Sequence, residues 1–344
     1  MKNAAVTSLV SCMFSLGLSL SFTEASAQAQ ENRSIETKAA LFCIPGLTQH
    51  SSTYEHLSKQ LAPYGIKTMA LDVQGFQTAK RGEKQDQIDF EQTVEQVKSA
   101  ANSYRKNNPK TPVFVLGEST GGTIALKLAA KYPKCVDGIL CSAPTWKVND
   151  RNKIAFLEFL DLTVLRKCKH GLAVNYVIKR TTDDKVLQAH LKYEEGRRQR
   201  FSIRESIKFM RFINASPQTA SLVKSTPVFV LHGLHDKLGQ TRWTAMLFKK
   251  IAGSKKTFVL DASAEHLICE EGQCSPKIVE TIKNWIEKTA NGEANLHPEG
   301  VLLSSEDLNE KETQSTKDMF RLAGVIPDTT LAQDTLRSAS EVTP

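Results

Sequence analysis

Gly117-Glu118-Ser119-Thr120-Gly121-Gly122 sets a serine between the apolar run Val113 to Leu116 and the helix-forming stretch Thr123-Ile124-Ala125-Leu126-Lys127-Leu128-Ala129-Ala130. In that context a serine is held on a tight, strained turn that lifts its hydroxyl above the sheet. Glycine is demanded two positions either side, at Gly117 and Gly121, because a Cβ there would collide with the returning backbone. A hydroxyl is a poor nucleophile until a base takes its proton, so the turn predicts a carboxylate and a histidine downstream, in that order. Asp236, in Leu231-His232-Gly233-Leu234-His235-Asp236, comes just after the apolar run Val228 to Leu231. His266 follows the run Thr257 to Leu260 by a loop. Both therefore fall beyond the end of an expected strand, where side chains enter a site. His232 and His235 precede the acid; one is expected to pack in the loop and the other to be solvated. Asp261 and Glu265 are rival acids whose closeness to His266 in sequence does not place them behind its imidazole.

Acyl transfer through such a serine passes through a tetrahedral oxyanion that needs two backbone N–H donors. Thr120, directly after the serine, is expected to supply one. Leu47, after Pro45-Gly46, is the best second donor, since Pro45 has no N–H. In the expected reaction Ser119 adds to an acyl carbonyl, His266 shuttles the proton, Asp236 stabilises the imidazolium and water releases the acyl group. No Cys-x-x-Cys pair exists and His232-x-x-His235 lacks further ligands, so neither a metal nor a cofactor is called for.

The elements that must position these groups alternate. Ala39 to Ile44 is a short apolar run stopped by Pro45-Gly46, which suits a strand buried on both faces. Ser52-Thr53-Tyr54-Glu55 has the pattern of a capping box, followed by an apolar stripe at Tyr54, Leu57 and Leu61. Lys67 to Leu71 is the next strand, Phe90 to Tyr104 a helix, Gly138 to Ser142 a strand, and Ser275 to Thr289 a closing helix. Strands alternating with helices imply an α/β fold with a mostly parallel sheet covered on both faces. The strand rhythm stops from Thr145 to Thr226, where helix-like clusters at Ile154 to Leu165 and Ile207 to Ile213 suggest an inserted helical cap over the strands' carboxyl ends. Beyond Ala290 the chain is polar, acidic and aperiodic apart from a short helix near Asp318 to Ala323, and reads as a largely disordered tail over 290–344.

The chain has 344 residues, 40% hydrophobic and 24% charged, ordinary for a globular protein. Its net charge of +8 is uneven. The cap carries 17 Lys and Arg against 8 Asp and Glu, whereas the tail from Ala290 carries 4 against 10. A basic cap is either a solvated face or a surface for an anionic membrane; nucleic acid is not expected, because neither a recognition motif nor interleaved aromatics accompany the charge. Residues 1–27 read as a signal peptide: Lys2, an apolar stretch from Ala4 to Phe22, and small residues at Ala25-Ser26-Ala27. Export follows, to the periplasm or beyond, without a lipid anchor at Cys12. The remaining six cysteines are Cys43, Cys135, Cys141, Cys168, Cys269 and Cys274. An even number permits disulfides, with Cys269 and Cys274 the best-suited pair and Cys43 and Cys141 suited to small apolar fillers in strands.

Taken together, the Pro45-Gly46 loop, Asp72-x-x-Gly75-Phe76, the serine turn, Ser142-Ala143-Pro144, His232-Gly233-x-x-Asp236 and His266-x-x-x-Glu270 resemble the α/β-hydrolase fold. More narrowly they resemble its monoacylglycerol lipase and lysophospholipase branch, also labelled serine aminopeptidase S33-like. The resemblance spans about residues 38–289. It implies a carboxylic ester hydrolase using Ser119, Asp236 and His266, acting on a small acyl ester, with a helical cap shaping the acyl pocket. Two departures stand out: Cys43-Ile44-Pro45-Gly46 replaces the family's usual His-Gly, and Glu118-Ser119-Thr120 replaces its usual neighbours of the serine. The ester itself therefore stays open. Peptide or amide cleavage by the same machinery, and a non-catalytic binding protein on the same fold, are the alternatives.

Overall fold

In the computed structural model, residues 36–79, 85–146, 174–194, 196–198, 201–270, 272–294 and 296–327 are described. The expected signal peptide, Cys168, the cap stretch Ile154 to Leu165 and the last residues from 328 lie outside them. Eight strands form one sheet: β1 (Ala39–Ile44), β2 (Ile66–Ala70), β3 (Val113–Glu118), β4 (Gly138–Ser142), β5 (Val228–Gly233), β6 (Lys256–Asp261), β7 (Glu299–Leu303) and β8 (Ile326–Pro327). Their order is β2-β1-β3-β4-β5-β6-β7-β8. Every neighbouring pair is parallel.

Alternation along the strands explains why both faces are covered. Phe42, Ile44, Val113, Val115, Ile139, Val228 and Val230 point to one face, against α2 (Phe90–Asn107), α3 (Thr120–Lys131) and α8 (Thr241–Lys250). Leu41, Cys43, Phe114, Leu116, Leu140, Phe229 and Leu231 point to the other, against α1 (Glu55–Leu61) and α9 (Pro276–Ala290). β1, β3, β5 and β6 are buried along their whole length, which is why they read as unbroken apolar runs rather than alternating ones. The chain leaves β1 toward β2 on one side and returns to β3 on the other. That reversal opens a crevice at the carboxyl ends of β1 and β3, the place where open α/β sheets bind ligands.

Between β4 and β5 lie four described helices, α4 (Val174–Thr181), α5 (Lys185–Tyr193), α6 (Ile203–Asn214) and α7 (Ser216–Leu222). A true capping box, Ser202 with Glu205, starts α6. On α6, Phe212 stacks on Phe90 with centroids 4.1 Å apart, fixing this part of the insertion to α2.

Three expectations need correction. The segment after Ala290 is not a disordered tail through its described part. β7, α10 (Glu310–Ala323) and β8 extend the sheet. Phe320 of α10 is buried edge-on against Phe258 of β6, and a capping box at Asn309 and Glu312 starts the helix. The low hydropathy that suggested disorder belongs to the exposed face of α10, whose buried residues are Thr316, Phe320 and Ala323 at helical spacing. The pattern at Ser52 does not cap a helix either, because a 3₁₀ turn over Ser51–Tyr54 precedes α1 with no side-chain cap bond. Ser52 Oγ instead donates to Glu194 of the insertion, 3.4 Å away. Finally, Cys269 and Cys274 are not bridged: both are free and buried, as are Cys43, Cys135 and Cys141. The Cys269 N–H is held by Glu118 and the Cys274 N–H by the Glu270 carbonyl, and burial pushes the Cys274 thiol up to about 12.

Candidate active site

The register of the sheet brings the ends of its central strands level. Ile44 lies beside Gly117, Glu118 beside Ser142, and Gly233 beside Asp261, so the loops carrying Leu47, Ser119, Asp236 and His266 leave one edge. Ser119 has φ 54° and ψ −115°, in the left-handed half of φ space that disfavours side chains bearing a Cβ. The glycines around it make that turn possible. A Cβ on Gly117 would stand 2.1 Å from the Gly121 carbonyl oxygen, and one on Gly121 would stand 2.0 Å from the Ile44 carbonyl oxygen. Both clashes are with backbone, so no side-chain movement could relieve them.

Ser119, His266 and Asp236 form one hydrogen-bonded chain. Ser119 Oγ donates to His266 Nε2 at 3.0 Å, and His266 Nδ1 donates to Asp236 Oδ2 at 2.7 Å. The other oxygen, Asp236 Oδ1, accepts from the N–H groups of Leu238 (2.8 Å) and Gly239 (2.7 Å), which fixes the carboxylate plane. Burial opposes ionisation of Asp236, but His266, His232 and the Gly239 N–H outweigh it and hold the carboxyl below its ordinary range. For His266 burial favours the neutral ring, yet the Asp236 carboxylate and, beyond it, Glu118 raise its pKa above the ordinary value. His266 is only 2% exposed and Ser119 7%, so these charges act with little water between them.

Thr120 is the first residue of α3, where a backbone N–H has no partner within the helix and the helix's positive end is nearest. Leu47 follows β1 and is partly buried against the core of the same face. The rival acids are occupied elsewhere. Asp261 Oδ1 accepts from the N–H and hydroxyl of Ser263, and Glu265 accepts from the N–H of Asp183. His235 is exposed, while His232 is buried, its Nδ1 3.0 Å from Thr244 Oγ1. Burial keeps His232 below the ordinary histidine value despite Asp236.

Sequence reasoning missed three things here. His232 Nε2 lies 3.4 Å from Asp236 Oδ2, so the residue set aside by chain order lies beside the carboxylate. Thr145 Oγ1 lies 3.0 Å from Ser119 Oγ, giving the hydroxyl a second partner, and the Thr145 carbonyl is held by Thr123 and Ser216. Its place directly after Ser142-Ala143-Pro144, at the end of β4, was the available signal. The third is the grip of the insertion on the histidine loop. The His266 N–H donates to the Thr181 carbonyl at 3.2 Å, and Asp183 pairs with Lys237, next to Asp236. Leu267 also packs with Ile178, Leu187 and Leu191 of α4 and α5. Two of the insertion's cations are turned inward: Arg197 and Arg198 are buried, paired with Glu194 and Glu205. Among the described residues no group of three or more His, Cys, Asp and Glu side chains could hold a metal ion.

A parallel sheet covered on both faces, with a serine on a strained strand-to-helix turn and an acid and a histidine on later loops, defines an α/β-hydrolase. The model of the "Serine aminopeptidase, S33" family matches residues 35–273, and the chain belongs to that family. It is similar to human monoglyceride lipase, 26% identical over 266 residues that cover 73% of this chain and 83% of the relative. The monoacylglycerol lipase of Mycolicibacterium smegmatis is 22% identical over 244 residues, covering 70% and 85% respectively. Among solved structures, a soluble variant of the Saccharomyces cerevisiae monoglyceride lipase in complex with a substrate analog shares the fold. Its TM-score is 0.62 at 19% identity, covering 77% of this chain and 89% of that one.

Proposed function

We propose that the chain hydrolyses lipid-like carboxylic monoesters of the monoacylglycerol or lysophospholipid type through an acyl-enzyme on Ser119. The observation that carries this reading is the hydrogen-bonded chain Ser119–His266–Asp236, in a family whose similar members include monoglyceride lipases. His266 Nε2 takes the serine proton as Oγ adds to the acyl carbonyl, and the Asp236 carboxylate stabilises the imidazolium that forms. The N–H groups of Leu47 and Thr120 take up the charge on the carbonyl oxygen. The imidazolium then returns its proton to the leaving alcohol, and water, activated by the same ring, releases the acid. Cleavage of peptides or amides is the second reading, favoured by the family's description as aminopeptidases. A panel of monoacylglycerols, lysophospholipids and aminoacyl amides separates the two, with turnover expected on the esters. Turnover confined to the amides would overturn the ester reading.

Membrane contact is part of the same proposal. Helix α5 turns Leu187 and Leu191 inward and leaves Val186 (80% exposed) and Tyr193 (75% exposed) outward beside Lys185 and Lys192. An apolar ridge flanked by cations suits the surface of an anionic bilayer. Binding to vesicles containing anionic lipid is expected to weaken as salt rises, because screening shortens the reach of the lysines to about 3 Å at 1 M. Replacing Val186 and Tyr193 by Asp should weaken it at every salt concentration. Equal binding to neutral and anionic vesicles would sink this part of the proposal.

A further inference from the structure

Glu270 lies four residues beyond His266, and its side chain faces inward at 6% exposure. Its Oε1 accepts from Gln49 Nε2 and, at 3.3 Å, from Thr53 Oγ1. The other end of the same amide, Gln49 Oε1, accepts from the Gly46 N–H at 2.9 Å. Gly46 is the residue before Leu47. A single side chain thus spans from the turn after β1 to the loop after β6, a sequence separation of 221 residues between Gln49 and Glu270. The space is fitted to it: a Cβ on Gly46 would stand 2.4 Å from Gln49 Oε1 and 3.3 Å from Ser119 Cβ.

The same loop is tied from a second side. Glu118, directly before Ser119 and fully buried, accepts at Oε1 from the N–H groups of Ile268 (2.8 Å) and Cys269 (3.0 Å) and from Ser142 Oγ (3.1 Å). Glu118 therefore joins the serine turn to the histidine loop, and Gln49 with Glu270 joins the oxyanion turn to that loop. Three loops from the carboxyl ends of β1, β3 and β6 are thereby tied to one another by buried side chains.

We infer that Gln49 and Glu270 are positioning residues that lock the oxyanion turn to the histidine loop, so that the Leu47 N–H and the His266 imidazole keep a fixed separation across the acyl carbonyl. The inference rests on the serine-hydrolase reading. An amide is the side chain that fits at position 49, because it donates to a carboxyl with one end and accepts a backbone N–H with the other.

Burial first, and then the neighbouring Glu118 carboxyl, push Glu270 up to about 8. The groups facing it are Glu118 from β3, Glu194 and Arg197 from the insertion, and Thr53 and Tyr54 from the turn before α1. Arg197 and the Thr53 hydroxyl pull it down; Glu194 pushes it up. Below about pH 8 Glu270 is a neutral acid accepting from Gln49. Above that pH it carries charge beside Glu118, yet a carboxylate accepts more strongly than a neutral acid, so the Gln49 and Thr53 bonds persist through the titration.

The test compares wild type with Gln49→Ala, Glu270→Ala and Glu270→Gln for hydrolysis of a p-nitrophenyl ester and for the rate of fluorophosphonate labelling, across pH 6 to about 10, with thermal melts to register folding. The alanine variants are expected to lose about 100-fold in kcat with little change in KM, the scale of a displacement of about 1 Å at the reacting atoms. Labelling should slow in parallel, because the phosphonyl oxygen uses the same N–H donors. Glu270→Gln, which keeps an acceptor for Gln49 Nε2, is expected to hold kcat near the wild-type value at neutral pH. Unchanged kcat in both alanine variants, or a Glu270→Gln variant as slow as Glu270→Ala, would overturn the inference while leaving the hydrolase reading standing. A wild type that neither takes the label nor turns over any ester would overturn both. If the alanine variants fail to fold, kcat of Glu270→Gln at neutral pH decides alone, a value near wild type supporting the inference and a loss of about 100-fold overturning it.

Discussion

Ser119→Ala is expected to lower kcat/KM for a p-nitrophenyl acyl ester by about a million-fold, roughly 8 kcal/mol of transition-state stabilisation, and to abolish fluorophosphonate labelling. The size follows from what the hydroxyl does. In the proposed mechanism it is the atom that forms the new bond, and without it His266 has no proton to take at 3.0 Å. What remains is general-base attack by water in a site with its N–H donors intact, which accounts for a residual rate above that in bulk water. The fold should be indifferent to the change. Alanine keeps the Cβ, so the backbone strain at φ 54° is unaltered, and the side-chain hydrogen bonds that disappear are those to His266 and Thr145. A melting temperature close to wild type, together with lost labelling, separates a missing nucleophile from a damaged fold. Turnover unchanged by the substitution would refute the covalent mechanism.

The serine turn was legible in sequence because its geometry leaves no freedom. Gly117 and Gly121 face backbone at about 2 Å from where a Cβ would stand, so their identities report the turn directly. Asp236 and His266 were legible for a related reason: each follows a strand buried at every position, and such strands stand out as apolar runs. What the sequence concealed is what long-range packing creates. Gln49 and Glu270 are 221 residues apart, and nothing in either neighbourhood announces the other. Thr145 and His232 reach the reacting groups only because β3, β4 and β5 lie side by side in register. The C-terminal β7-α10-β8 unit hid for the opposite reason. It is an edge addition with one buried face, so its few buried residues are outnumbered by the polar residues of its solvent face.

Asp236→Asn is expected to cost about 10⁴-fold in kcat while leaving the fold and the position of His266 nearly unchanged. Asp236 Oδ1 accepts from two backbone N–H groups, those of Leu238 and Gly239. An asparagine must keep its carbonyl oxygen there, since an amide nitrogen facing two N–H donors would leave three donors without an acceptor. The amide NH₂ is then forced into the place of Oδ2, against His266 Nδ1 at a distance now 2.7 Å. Nδ1 must become the acceptor, which moves the ring proton to Nε2, the atom that has to receive the proton of Ser119. His232 permits this outcome. It is held toward the neutral form by burial, and its Nε2 lies 3.4 Å from Oδ2, so an amide there meets no added positive charge. Loss of the carboxylate also removes the main influence that raises the His266 pKa, so the acid limb of the pH–rate profile should shift to lower pH in the variant. A full-rate Asp236→Asn enzyme would show that the carboxylate neither sets the tautomer nor stabilises the imidazolium, and the roles given to Asp236 and His266 would fall together.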